Sequence, residues 1–139
     1  MLSHTFRLRS RDVRYLTRKR NYFVKGWFGF FYIPQYAKKP FNQFSCHITI
    51  KLSKHATKRN LIKRMIMNIL RDTNAPHLPF GNQFYKVFIM LNKSQLPHLQ
   101  ALLQKKGALS ALPPALNDTV KQAFQISFTS FQSFLCSKK

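Results

Sequence analysis

Residues 44–71 read FSCHITIKLSKHATKRNLIKRMIMNILR, and the period of the apolar positions changes in the middle of this stretch. Phe44, Cys46, Ile48, Ile50 and Leu52 alternate with Ser45, His47, Thr49, Lys51 and Ser53, the period of two that a half-buried strand requires. From Ala56 to Arg71 the apolar residues Ile62, Met65, Ile66, Ile69 and Leu70 follow the i, i+3, i+4, i+7, i+8 spacing of one helix face. On the opposite side Arg59, Lys63 and Met67 lie along one edge, with Asn60, Arg64, Asn68 and Arg71 beside them. The stretch therefore predicts a strand followed by a helix with a basic ridge on an apolar base, the beginning of an α+β chain.

On the N-terminal side, Trp27 to Ile33 is an aromatic, β-favouring run closed by Pro34, and reads as a strand. Before it, Arg7 to Arg20 holds seven cations and one anion, with Leu8, Val13 and Leu16 as the thin apolar stripe of a short helix. On the C-terminal side, a Pro- and Gly-containing loop from Asp72 to Asn82 leads to Phe84–Leu91, a compact apolar run that reads as a buried strand. Ser94 to Lys106 predicts a helix, capped by Ser94, carrying Leu99, Leu102 and Leu103, and closed by Gly107. Beyond Pro113 and Pro114, the residues Val120, Phe124, Ile126, Phe128, Phe131 and Phe134 fit a further helix, while the Ser/Thr/Phe mix also permits strand. This divides the chain into a domain over residues 1–107 and a Phe-rich extension over 108–139, which either packs on the domain or meets a partner.

The composition sets 24 Lys and Arg against 3 acidic residues, a net charge of +21 at pH 7, so the chain repels itself unless a polyanion neutralises it. At 45% hydrophobic and 14% aromatic residues it has too much apolar surface for a disordered basic tail. There is no run of 18 apolar residues and no secretory signal, although the Arg-rich start shares features with an organelle transit peptide. Cys46 and Cys136 are isolated from any metal-site pattern and fit a reducing cytoplasm. Asp12, Asp72 and Asp118 are the only acids, each alone in sequence, which argues against a nuclease that holds its own metals. The scattered His4, His47, His55, His77 and His98 read as surface or RNA-contacting groups rather than an acid–base pair. With four glycines there is no Gly-rich phosphate loop.

Lys58-Arg59-Asn60-Leu61-Ile62-Lys63-Arg64 places two dibasic pairs little more than one helical turn apart, with no acid in sequence between Asp12 and Asp72. Like charges at this spacing repel, a cost that bound phosphates relieve. Arg-Asn-x-x-Lys-Arg opening an amphipathic helix, after a strand ending Leu52-Ser53-Lys54, resembles the bacterial ribonuclease P protein family. Ser53, Lys54, Ala56, Arg59, Asn60, Lys63 and Arg64 match the family's motif, Arg71 fits a later basic position, and the likeness covers roughly residues 5 to 107. Leu61 stands where the family has a second arginine, the turn before the helix is shorter and lacks its Gly, and residues 108–139 have no counterpart.

The resemblance implies an α+β fold with a small mixed sheet of about four strands packed with helices. It also implies a left-handed βαβ crossover of the kind seen in ribosomal S5 domain 2-like folds. It implies a cytoplasmic protein subunit of ribonuclease P, a monomer in a 1:1 ribonucleoprotein, that assists the endonucleolytic 5′ maturation of tRNA. The RNA component would perform the hydrolysis with Mg2+ that it mainly holds itself, with no protein-bound cofactor and no protein catalytic residue. Lys54, Lys58, Arg59, Asn60, Lys63, Arg64 and Arg71 would contact the catalytic RNA, mainly through phosphates. Arg11, Arg14, Tyr15 and Arg18, with Phe30 and Tyr32, would line a cleft for the 5′ leader of precursor tRNA, though the two rings also fit a core. A small basic ribosomal protein, a structural rRNA-binding module, is the alternative that shares size and charge but not the Arg-Asn-x-x-Lys-Arg helix. A membrane-surface protein shares only the charge.

Overall fold

The computed structural model describes residues 4–19, 21–35, 39–49, 56–80, 83–92, 97 and 114–137. Their order is α1 (Ser10–Lys19), β1 (Tyr22–Lys25), β2 (Phe28–Pro34), β3 (Gln43–Cys46), α2 (Ala56–Asp72), β4 (Tyr85–Leu91) and α3 (Pro114–Ser137). The four strands form one mixed sheet in the order β1-β2-β4-β3, antiparallel at β1/β2 and β2/β4 and parallel at β3/β4. A parallel neighbour cannot be reached by a tight turn, and α2 is the crossover that joins β3 to β4.

The strand β1 is absent from the expectations above. Its four residues sit between a basic helix and an aromatic run and carry little alternation of their own, being mostly exposed. They become a strand because Gly26 takes φ 62, the positive value that a two-residue hairpin needs at its first central position, and Lys25 then pairs with Phe28. The Asn92 amide Nδ2 donates to the Gly26 carbonyl and the Ser127 hydroxyl donates to the Lys25 carbonyl, fixing this turn from two sides.

The sheet has a core face and an open face. Phe28, Phe30 and Tyr32 of β2, Phe44 and Cys46 of β3, and Val87, Ile89 and Leu91 of β4 join one buried cluster with Ile62, Ile66, Ile69 and Leu70 of α2. The Phe-rich segment is helical, and Val120, Phe124, Phe128, Phe131 and Leu135 recur every three or four residues to join the same cluster. Phe131 stacks on Phe30 at 4.5 Å between ring centroids and Phe124 meets Phe28 edge-on at 5.2 Å. Ile126, placed on the helix's apolar face by its residue type, is 63% exposed instead, because it falls between the buried turns. Met67 departs in the other direction and is buried, so the edge of α2 formed by Arg59, Lys63 and Met67 is partly covered. Apart from Pro97, the predicted helix from Ser94 to Lys106 lies outside the described residues, as do the strand positions Ile50 and Leu52. Among the described residues no helix is long and apolar enough to cross a membrane.

Asn42 joins the ends of three elements. Its fully buried side chain donates from Nδ2 to the carbonyls of Ala75 and Leu78 beyond α2, and its Oδ1 accepts from the Tyr85 amide that opens β4. Asn74 just before takes φ 58, a left-handed conformation that Asn tolerates. Asn42→Ala should cost about 3 kcal/mol or more, since three hydrogen bonds are lost and buried backbone groups are left unpaired; urea unfolding of the two proteins measures it.

Candidate nucleic-acid interface

The open face of the sheet is the side that β2 presents through Gly29, Phe31 and Ile33 and β4 through Lys86, Phe88 and Met90, by the alternation of side chains along each strand. The helix α1 crosses this face at the end where β2 finishes and β4 begins. Its Leu16 is completely buried, and Leu16 and Phe88 lie outside the main core cluster. What anchors the helix is an ion pair. The ammonium of Lys86, 2% exposed, lies 2.9 Å from Asp12 Oδ1, while Asp12 Oδ2 accepts from the Arg9 amide. Burial works against the Asp12 charge, but the hydrogen bond and charge of Lys86, the Arg9 amide and the Arg11 cation outweigh it and hold the carboxyl below its ordinary value.

Two grooves flank α1. One, of about 480 Å³, is lined by Arg11, Asp12, Tyr15, Lys19, Asn21, Ile33 and Pro34. The other, of about 610 Å³, lies against the N-terminal segment and β3. Beyond α1 the open face is aromatic. The Tyr22 ring meets Phe31 at 4.6 Å, and Phe31 stacks on Phe88 at 6.3 Å. Gly29 makes room for the Tyr22 ring, whose hydroxyl a Cβ at that position would displace. Partial burial pushes the Tyr22 phenol up, so it stays protonated.

Of the residues expected in a leader cleft, Arg11, Arg14, Tyr15 and Arg18 all lie on α1 and are exposed. Lys19 sits over the Tyr15 ring at 5.4 Å from its centroid, so one face of that ring is already covered by a cation. Phe30 and Tyr32 are corrected: both rings are buried on the core face, against Phe131 and its neighbours. The reason is parity. The run from Phe28 to Ile33 is apolar on both faces, so its sequence does not say which set points inward, and a shift of one residue exchanges them. The register Tyr22↔Phe31 and Phe31↔Phe88 puts Phe31 on the open face in their place.

On the far side of the sheet, α2 carries the basic ridge. Asn60, Lys63 and Arg64 are exposed, and Arg59 is half-buried with its Nε shielded from solvent and without a hydrogen-bond partner among the described residues. Lys63 is close enough to Cys46 to oppose the effect of burial, which still pushes that thiol up to about 12 and leaves it unreactive. Arg71 is exposed and paired with Asp72 at 3.1 Å, so part of its charge is compensated. The side chain of Lys58 and the whole of Lys54 lie outside the described residues. No three His, Cys, Asp or Glu side chains come together among the described residues.

Sequence reasoning missed Lys86, Tyr22 and Phe31. A lysine inside the apolar run Phe84–Leu91 was the available signal, because a strand interior tolerates an ammonium only with a partner.

A small mixed sheet with helices on both faces and cations on its outer surfaces defines a compact α+β class, and solved structures share it. The RNase P protein of Staphylococcus aureus superposes with a TM-score of 0.63 at 10% identity, over 91% of this chain and 94% of that chain. The RNase P protein from Thermotoga maritima gives 0.59 at 15% identity, over 96% of this chain and 97% of that one. At such identities these likenesses show the fold. No curated protein matches the sequence. The family model for ribonuclease P matches residues 2–112, and the chain belongs to that family. Its role is therefore in tRNA 5′ processing by ribonuclease P, with an RNA as partner.

Because the folded carboxyl of Asp12 is depressed, its contribution to stability is present above the ordinary value of 3.8 and is lost as pH falls through the lower folded value. The stability advantage of the wild type over Asp12→Asn should shrink below about pH 4 in urea titrations. At neutral pH Asp12→Ala, which strands a buried ammonium, should cost about 3 kcal/mol and more than Lys86→Met, which removes the charge that needs pairing.

Proposed function

We propose that this chain is the subunit that binds the catalytic RNA of ribonuclease P through the α2 ridge and the 5′ leader of precursor tRNA along the open sheet face. The observation that carries the reading is the placement of two basic surfaces on opposite sides of one sheet. Asn60, Lys63 and Arg64 stand behind the core face, and Arg11, Arg14 and Arg18 stand over the open face. A single rigid body can then hold two RNA segments at once, each by phosphates, and bring a substrate strand to a catalyst it does not itself contain.

The ridge supplies affinity without reading sequence, since Lys and Arg meet phosphate oxygens and not base edges. The open face adds what unpaired nucleotides need. Tyr22 and Phe31 offer ring surface and the α1 arginines offer charge, a combination that accepts any base because every base has a π face. Phosphodiester hydrolysis belongs to the RNA, with magnesium held there. The protein's part is to bind, orient and neutralise.

Cleavage of a 5′-extended precursor tRNA by ribonuclease P RNA at low magnesium tests this, with wild type, Arg59→Ala/Lys63→Ala/Arg64→Ala, and Tyr22→Ala. Wild type should stimulate cleavage, the triple variant should lose at least tenfold of that stimulation, and Tyr22→Ala should weaken stimulation for substrates with a leader of several nucleotides but not for those with a single-nucleotide leader, by a base-stacking loss of about 1–3 kcal/mol. Absence of stimulation with both RNAs folded would overturn the proposal.

A further inference from the structure

Asp12 and Leu16 stand one helical turn apart on the side by which α1 is attached to the sheet, and the two attachments differ in kind. Leu16 is held by apolar burial, which has no preferred direction and tolerates a helix that rolls about its axis. The bond from the Lys86 ammonium to Asp12 Oδ1, at 2.9 Å, is directional. We propose that Asp12 and Lys86 are positioning residues for the leader of precursor tRNA, which act through the helix by setting the roll of α1 and so aiming Arg11, Tyr15 and Arg18. The proposal rests on the leader reading given above.

Backbone bonds fix where the axis lies and leave the roll to side chains. Before the helix the Leu8 amide donates to the Phe44 carbonyl at 3.0 Å, and after it the Asn21 carbonyl accepts from the Tyr32 amide at 3.1 Å. Between these two tethers only side chains hold the helix to the sheet. Lys86 is a fixed point for one of them, since β4 lies between β2 and β3 and Lys86 is opposite Ile33 on one side and Gln43 on the other. Its ammonium is buried and cannot be left unpaired without a large cost, so the bond to Asp12 persists. The second carboxylate oxygen accepts from the Arg9 amide, which ties the same side chain to the first turn.

The residues that the roll aims lie on the next edge of the helix. Arg11, Tyr15 and Arg18 are spaced by four and three residues, all three are exposed, and Arg11 and Tyr15 line the groove that Ile33 and Pro34 close. One residue of an α-helix corresponds to about 100° of rotation, so a roll of half that amount turns the whole row away from the groove. The ring is the most sensitive member. Lys19 covers one face of Tyr15 at 5.4 Å, so a base can stack only on the other face, and the roll decides where that face points.

Asp12→Leu/Lys86→Met is the test, because an apolar pair removes the directional bond without stranding a buried charge, and the fold is retained. Cleavage by ribonuclease P RNA at low magnesium and equal total protein gives KM and kcat for precursors with an eight-nucleotide and a one-nucleotide leader. The variant should raise KM for the long leader by about fivefold or more, the loss of one stacked base, and leave KM for the short leader and both kcat values near wild type. Lost stability alone would instead lower kcat for both substrates alike. Asp12→Lys/Lys86→Asp, which restores opposite charges, should return KM toward wild type. An unchanged KM for the long leader in the apolar variant overturns the proposal. Should that variant fail to fold, Asp12→Asn takes its place, with a smaller rise expected and an unchanged KM overturning the proposal. Should the wild type show no dependence on leader length, the leader reading falls, and residual dipolar couplings of Cα–Hα bonds along Ser10–Lys19, whose periodic variation reports helix roll, decide the rest. A shifted or flattened pattern in the variant, with β2 and β4 unchanged, supports control of the roll by the pair; an unchanged pattern overturns it.

Discussion

With 24 cations and 3 carboxylates, this chain cannot neutralise itself by internal pairing, and its architecture follows from that limit. Two ion pairs occur among the described residues, and they differ in kind. Arg71–Asp72 is exposed at the end of α2, where water screens it. Lys86–Asp12 is almost dry and joins a helix to a strand 74 residues away in sequence. With 24 cations to 3 carboxylates, most cations must find water or an external polyanion, so the apolar residues have to hold the fold together against steady repulsion. They do so on one face of the sheet, where aromatic rings from β2 and α3 interlock with the aliphatic stripe of α2.

Confining the core to one face frees the other for function. On the open face α1 is held by one buried residue, Leu16, and one buried ion pair, and the rest of its length presents cations to solvent. A helix attached by so few contacts sits at the low end of local stability, where ligand-binding elements are commonly found.

Much of this was legible in the order of residues because the physics there is local. The alternation at Phe44, Cys46 and Ile48 and the helical stripe from Ile62 to Leu70 are buried as their periods demand. The family could be read from Arg59, Asn60, Lys63 and Arg64, whose motif the match over residues 2–112 includes. What escaped depends on partners distant in sequence. Phe28 to Ile33 is apolar at every non-glycine position, so only pairing with β4 decides that Phe30 faces the core and Phe31 does not. The strand β1 exists because of a glycine turn and a serine on α3. Met67 is buried although its helical position groups it with two cations, because it joins the core cluster.

The Ser127 hydroxyl and the Lys25 carbonyl are separated by 102 residues, and the last turns of α3 complete the core face over β2. A chain made from its N terminus at about 5–20 residues per second finishes β4 several seconds before Phe131 and Leu135 are added. Through that interval the rings of Phe28, Phe30 and Tyr32 lack their lid. The charge that weakens the finished protein is of use here. Nascent chains carrying so many cations repel one another, and the same repulsion that limits stability delays aggregation until the closing helix arrives.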